Sequence, residues 1–142
     1  FYQQQVAEVN KLLERYIKES EELDVEKYLR ICEQLGQEPD PTKMPLELSD
    51  FPEEVQVAFF MFSLLPEHYE GTTGTYMGKY WDGIEYFFKL YDVENKKVVL
   101  YIMKMYEGLI ISHKADKSEK QRKAAERRAK SGGKSYTHNI QG

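Results

Sequence analysis

The feature that most constrains the fold is how unevenly charge and apolar side chains are shared along the chain. Residues 113–142 carry nine Lys/Arg against three acids, a net of +6, and their only apolar side chains are Ala115, Ala124, Ala125, Ala129, Tyr136 and Ile140. Such a segment cannot bury enough surface to offset a backbone ordering cost of about 1–2 kcal/mol per residue. The core must therefore come from residues 1–112, which hold eleven bases against twenty-one acids, a net of −10. An acidic body (1–112) joined to a basic arm (113–142) is expected to dock onto something, because the arm cannot be justified by a core of its own.

Within the body, apolar residues follow a helical period. Val6, Val9, Leu13 and Tyr16, with Leu12 and Ile17 beside them, recur at three- and four-residue spacing and predict an amphipathic helix from about residue 2 to 21. Two heptads are too few to make that stripe a coiled-coil seam. A second helix is expected from an Asp24 cap through Val25, Tyr28, Leu29, Cys32 and Leu35 to a stop at Gly36. Pro39, Pro41 and Pro45 make residues 37–48 a stiff extended linker. Ser49-Asp50-Phe51-Pro52-Glu53 then reads as a helix start, with Asp50 capping and Glu53 closing a capping box. The helix that follows, Val55 to Leu65, is apolar nearly all round and should be central, ending at Pro66.

Residues 66–79 carry Gly71, Gly74 and Gly78 and read as a loop. A helix resumes at Tyr80 with Trp81, Ile84, Phe87, Phe88 and Tyr91 on one face. After a break at Asp92–Asn95, Val98, Tyr101, Ile102, Met105, Tyr106, Leu109 and Ile110 mark a long helix. Its Ala, Lys, Glu, Gln and Arg composition carries it on as the basic arm, with a stop expected at Ser131-Gly132-Gly133. The fold class is all-α: a compact bundle of about five helices whose long C-terminal helix extends into the arm. Phe59, Phe62, Trp81, Ile84, Phe88, Ile102 and Met105 are the expected core.

Candidate chemistry is sparse. Gly71-Thr-Thr-Gly-Thr-Tyr-Met-Gly78-Lys79 approaches a phosphate-binding loop, but that pattern needs a glycine where Thr73 stands and a hydroxyl residue of the Ser/Thr kind where Tyr80 stands. His68, His113 and His138 have no i, i+4 partners, so no metal site is expected. Cys32 is the only cysteine, which precludes an intramolecular disulfide and fits a reducing compartment. Glu21/Glu22 and Glu53/Glu54 suit helix ends better than paired acid–base work. The longest apolar run, Val57–Phe62 with Leu64 and Leu65, is too short to span a membrane, and no secretory signal is visible. The chain begins at Phe1 rather than Met, so the native N-terminus can precede it. No enzyme activity and no cofactor are expected.

The segment PLELSDFPEEVQVAFFMFSLLPEHYEG…YMGKYW (residues 45–81) and the coda SYTHNIQG resemble small helical accessory and structural proteins of tailed bacteriophages. The resemblance implies a role in assembling or completing a larger particle, in the virion or the bacterial host cytoplasm. No functional residue carries over from it. From the residues themselves, the expected partner contacts are Lys120, Lys123, Arg127 and Arg128, with Tyr136, His138 and Ile140 anchoring the terminal peptide. The partner is another protein subunit of an assembly, self-association included. Neutralisation of nucleic-acid phosphates by the arm, in packaging, replication or transcription, is the alternative.

Overall fold

The computed structural model describes the backbone of residues 2–141 and the side chains of residues 4–21 and 23–131. It is mainly helical, 69% of the chain, with five α-helices and one small two-stranded sheet. The helices are α1 (Tyr2–Glu22), α2 (Val25–Leu35), α3 (Glu53–Leu64), α4 (Ile84–Leu90) and α5 (Lys96–Gln141). The strands are β1 (Glu67–Tyr69) and β2 (Tyr76–Lys79), an antiparallel hairpin between α3 and α4.

Local signals explain most boundaries. Asp24 caps α2 through its Oδ1, which accepts from the Lys27 amide at 2.7 Å. Gly36 ends α2 in the left-handed conformation, φ 67°, and the Gln37 amide reaches back to the Cys32 carbonyl at 2.9 Å. Asp92 (φ 45°) and Asn95 (φ 54°) turn the chain between α4 and α5, conformations that Asn and Asp tolerate better than most residues.

Four expectations are corrected. The capping box sits one element early: Glu47 and Asp50 exchange side-chain and backbone bonds around a 3₁₀ turn (Leu48–Asp50), and Pro52, with extended ψ, takes the cap position of α3. Residues 66–79 are a hairpin, because Tyr69 and Tyr76 pair across it and Glu70 closes its tip. The helix expected from Tyr80 begins only at Ile84, since Trp81 is drawn aside by a side-chain bond described below. At the other end α5 runs through Ser131-Gly132-Gly133 instead of stopping there; each glycine costs a helix only about 1 kcal/mol relative to alanine.

The core lies where α3 crosses α5. Leu13 of α1, Phe51, Val55, Ala58, Met61, Phe62 and Leu65 of and around α3, Phe88 of α4, Val93, and Val99, Ile102 and Met103 of α5 form one buried cluster. Of the expected core, Phe62, Phe88 and Ile102 are buried, and Phe59, Trp81, Ile84 and Met105 are partly buried against them. An edge-to-face aromatic chain threads the packing. Tyr16 meets Phe51 at 5.5 Å, Phe51 meets Phe59 at 5.6 Å, Phe59 meets Tyr106 at 4.6 Å, and Tyr106 meets Phe62 at 5.0 Å. No described α2 residue joins this cluster; Cys32 is buried, but Leu29, Ile31 and Leu35 face outward. Nor is α3 covered all round: Phe60 is 48% exposed.

Phe62 and Phe60 are two positions apart and in opposite environments. Phe62→Ala is expected to destabilise by about 3–5 kcal/mol, and Phe60→Ala by less than about 1 kcal/mol, since surface substitutions usually change little. Urea unfolding of the two variants, read by circular dichroism, checks the difference. Equal losses would mean that α3 is rotated from the orientation described.

Candidate functional site

The arm is only as well placed as the helix that carries it, and α5 is held on two sides. On the hairpin side the hub is Glu107. Its Oε2 accepts from the Lys79 backbone amide at 2.8 Å and from the Trp81 indole N–H at 2.7 Å. Gly78 permits this approach. Its φ is 96°, and a β-carbon there would lie 2.7 Å from the same Glu107 oxygen, so any other residue would meet both backbone strain and a clash. Lys104 places its ammonium 3.9 Å above the Trp81 ring, and Lys114 lies 4.2 Å from the centre of the Tyr76 ring. Burial and the nearby charges of Glu67 and Glu107 push the Tyr76 hydroxyl up to about 12, so it stays neutral beside Lys114.

These contacts decide the reading of Gly78-Lys79. The Lys79 side chain is only 7% exposed. Its ammonium donates to the Leu65 carbonyl at 3.1 Å, lies 3.7 Å from Glu67 and sits over the Phe62 ring at 4.7 Å. A lysine so engaged is a structural strut between strand and helix end. Glu70 does similar work at the hairpin tip. Its carboxylate accepts from the Thr73 hydroxyl and amide and from the Thr72 amide, which hold its pKa down to about 2.

On the other side α5 is tied to the end of α1. Glu21 accepts from His113 at 3.1 Å and from Lys117 at 3.4 Å. The His113 bond is the main reason its carboxyl lies below the usual range; slight burial opposes the shift and Lys117 adds to it. Of the three histidines, His68 stacks on Tyr80 at 4.5 Å, His113 makes this tie, and the side chain of His138 lies outside the described residues. Among the described residues no cluster of His, Cys, Asp or Glu converges on a metal site, and no helix is long and apolar enough to cross a membrane.

Lys114 and Lys117 are thus engaged by the body, and the basic residues beyond them are not. Every side chain from Ser118 to Ser131 except Ala124 is exposed, Lys120, Lys123, Arg127 and Arg128 included. At 3.6 residues per turn, Lys120, Lys123, Arg127 and Lys130 fall within an arc of about 80°, with Arg128 about 100° round from Arg127. Along the arm Glu119 and Lys123 form an i, i+4 pair at 3.3 Å, and Glu126 and Lys130, at the same spacing, do not come within ion-pair distance. The structure therefore presents the four charged residues picked out from sequence on one projecting helix. Tyr136, His138 and Ile140 lie outside the residues whose side chains are described, so it places none of them. Glu107 was missed by sequence reasoning, although one signal was present: a lone carboxylate set inside the apolar run from Tyr106 to Ile110.

Two outcomes follow for the anchorage. Glu107→Ala removes the acceptor of two part-buried donors and is expected to cost about 1–3 kcal/mol, with the emission of Trp81, the only tryptophan, shifting to the red as its indole is released. An unshifted spectrum would mean that the bond is not kept in solution. For Glu70 the folded carboxyl titrates near 2 against an ordinary 4.5. Its tip bonds therefore contribute fully above pH about 4.5, and the contribution is lost as pH falls toward about 2. A carboxyl titration by NMR with a midpoint near the ordinary value would contradict those bonds. No known protein family, curated protein or solved structure matches the chain, so what the site does is read from its own charge and geometry.

Proposed function

We propose that this chain is a non-enzymatic structural or assembly protein of a larger particle, docking onto another protein subunit through its basic arm. The observation that carries the reading is the change along α5 at Lys117. From Lys104 to Lys117 the basic side chains are bonded or stacked into the body, and beyond Lys117 the residues Lys120, Lys123, Arg127 and Arg128 are displayed on the surface of the helix. The core where α3 crosses α5 supplies a base for that display. The phage-like texture of residues 45–81 and of the coda suggests the setting: a tailed-phage virion component or a morphogenesis factor, in the virion or the bacterial host cytoplasm.

A photoreactive residue placed at Lys123 or at Arg128 tests the docking. Cross-linking in cells is expected to join the chain to a protein. Arg127→Glu with Arg128→Glu should leave the thermal midpoint within the range of ordinary surface changes, about ±0.5 kcal/mol, while weakening the cross-link in a salt-dependent way. Titration with duplex and single-stranded oligonucleotides gives the opposing result. Affinity no better than the non-specific range of about 10⁻⁴–10⁻⁶ M supports protein docking; tight binding with a steep salt slope and cross-links to nucleic acid would replace the proposal with a packaging, replication or transcription accessory role.

A further inference from the structure

The end of α5 opposite the arm borders an open acidic hollow. Residues 53–61 of α3, the link Tyr91–Asn95 and the first turn of α5 border about 610 Å³. Phe60 and Tyr91 meet there edge to face at 5.1 Å, and each is 48% exposed. Glu53, Glu54, Asp92 and Glu94 line the same hollow, and no Lys, Arg or His does. Two helix N-termini meet at this point and contribute about half a positive charge each, which leaves a net of roughly −3 from the four carboxylates. Lys96 and Lys97 begin α5 nearby without lining the hollow.

We infer that this acidic, aromatic groove receives the basic arm of a second copy of the same chain. The inference rests on the docking role proposed for the arm and names the surface that the arm meets. Charge complementarity is the first argument: the Lys120–Lys130 stripe is basic and exposed, and the groove is acidic and exposed. The second is side-chain chemistry. Lys and Arg can cover aromatic rings with their stems and place their cations over the faces, and the molecule already packs Lys104 on Trp81 and Lys114 on Tyr76 in this way. The third is reach. Val99 lines the groove and belongs to the same continuous helix as the arm. At 1.5 Å per residue the stripe begins about 30 Å further along and ends about 45 Å away. A chain cannot therefore fill its own groove while α5 is intact. Arm into groove joins unlike surfaces, a head-to-tail contact that closes into a ring or propagates as a filament.

Sedimentation velocity of the full chain over a range of concentrations tests this at about 0.1 M and about 1 M salt, between which the screening length falls from about 10 Å to about 3 Å. Concentration-dependent association at the lower salt and its loss at the higher is expected. Two full-length variants sharpen the test: Arg127→Glu with Arg128→Glu in the arm, and Glu54→Lys with Glu94→Lys in the groove. Each alone should weaken association at least about tenfold, because each sets like charges against each other. Mixing the two variants restores opposite charge at both contacts and should restore association. Tyr91→Ala, which keeps every charge, should weaken it as well. Circular dichroism melts confirm that each variant is folded. A monomer at every concentration, or an oligomer indifferent to the groove variants, overturns the inference. If the arm cross-links to a different protein while the chain stays monomeric, only this inference fails; if it cross-links to nucleic acid, the docking proposal fails too.

Discussion

Everything in this molecule is arranged around one helix that must serve two environments. The first half of α5 supplies Val99, Ile102 and Met103 to the core, and its turns from Ser118 to Ser131 are exposed apart from Ala124. Those exposed turns, which lack an apolar stripe, would be marginal as a helix alone, since helix nucleation is costly and most helical stability in proteins comes from packing. Here the nucleus is provided by the body. Once Val99 to Tyr106 are fixed against α3, each further turn adds hydrogen bonds without a new nucleation cost, and the favourable propensities of Ala, Lys, Glu, Gln and Arg suffice to extend it. The direction of the arm is thus set by side chains far from it.

Direction needs more than packing against α3, which would leave α5 free to roll. The hairpin and α1 provide the stops. Glu107 fixes the face turned toward Gly78, Lys79 and Trp81, and His113 with Lys117 fixes the face turned toward Glu21. These two contacts are chemically different. The first is a part-buried carboxylate shared between a backbone amide and an indole, and it gains from the lower local dielectric. The second is more exposed and correspondingly weaker and more sensitive to salt. Both belong to regions that a motif search would pass over or misread: Gly78-Lys79 invites a phosphate, yet its glycine makes room for a carboxylate and its lysine is occupied by the protein itself.

The fold class was legible because periodicity is a property of neighbours in sequence. The caps at Asp24 and Gly36 and the break at Asp92–Asn95 were readable for the same reason, whereas the three-proline segment, expected to be extended, turns at Pro41–Lys43, where the Lys43 amide donates to the Asp40 carbonyl at 3.0 Å. What escaped depended on long-range partners. The hairpin at 67–79 has strands of three and four residues, too short to show alternation, and its order comes from Tyr76 packing under α5 and from Glu70 at its tip. Trp81 carried a helical pattern, but its indole is pulled to Glu107, 26 positions away, and the helix starts later. Phe60 and Tyr91 look like core residues by type, and their exposure follows from which flank of α3 is left uncovered. The exposure of Lys120, Lys123, Arg127 and Arg128 was legible in sequence because exposure of a core-poor segment needs no tertiary information. The groove was invisible because its acids come from two places nearly forty residues apart.

The thin attachment of α2 has a consequence for how the protein breathes. Its ends are well made, by Asp24 and by Gly36, and its link to the rest includes the Tyr28 hydroxyl, which accepts from the Asp40 amide at 3.1 Å. No described side chain of α2 enters the main core cluster. Local capping without core burial yields a helix that can open and close while the remainder stays folded. Deuterium would therefore enter the amides of residues 25–35 long before those of α3 or of α5 between Val99 and Tyr106, and the slowest-exchanging set would trace the crossing of those two helices.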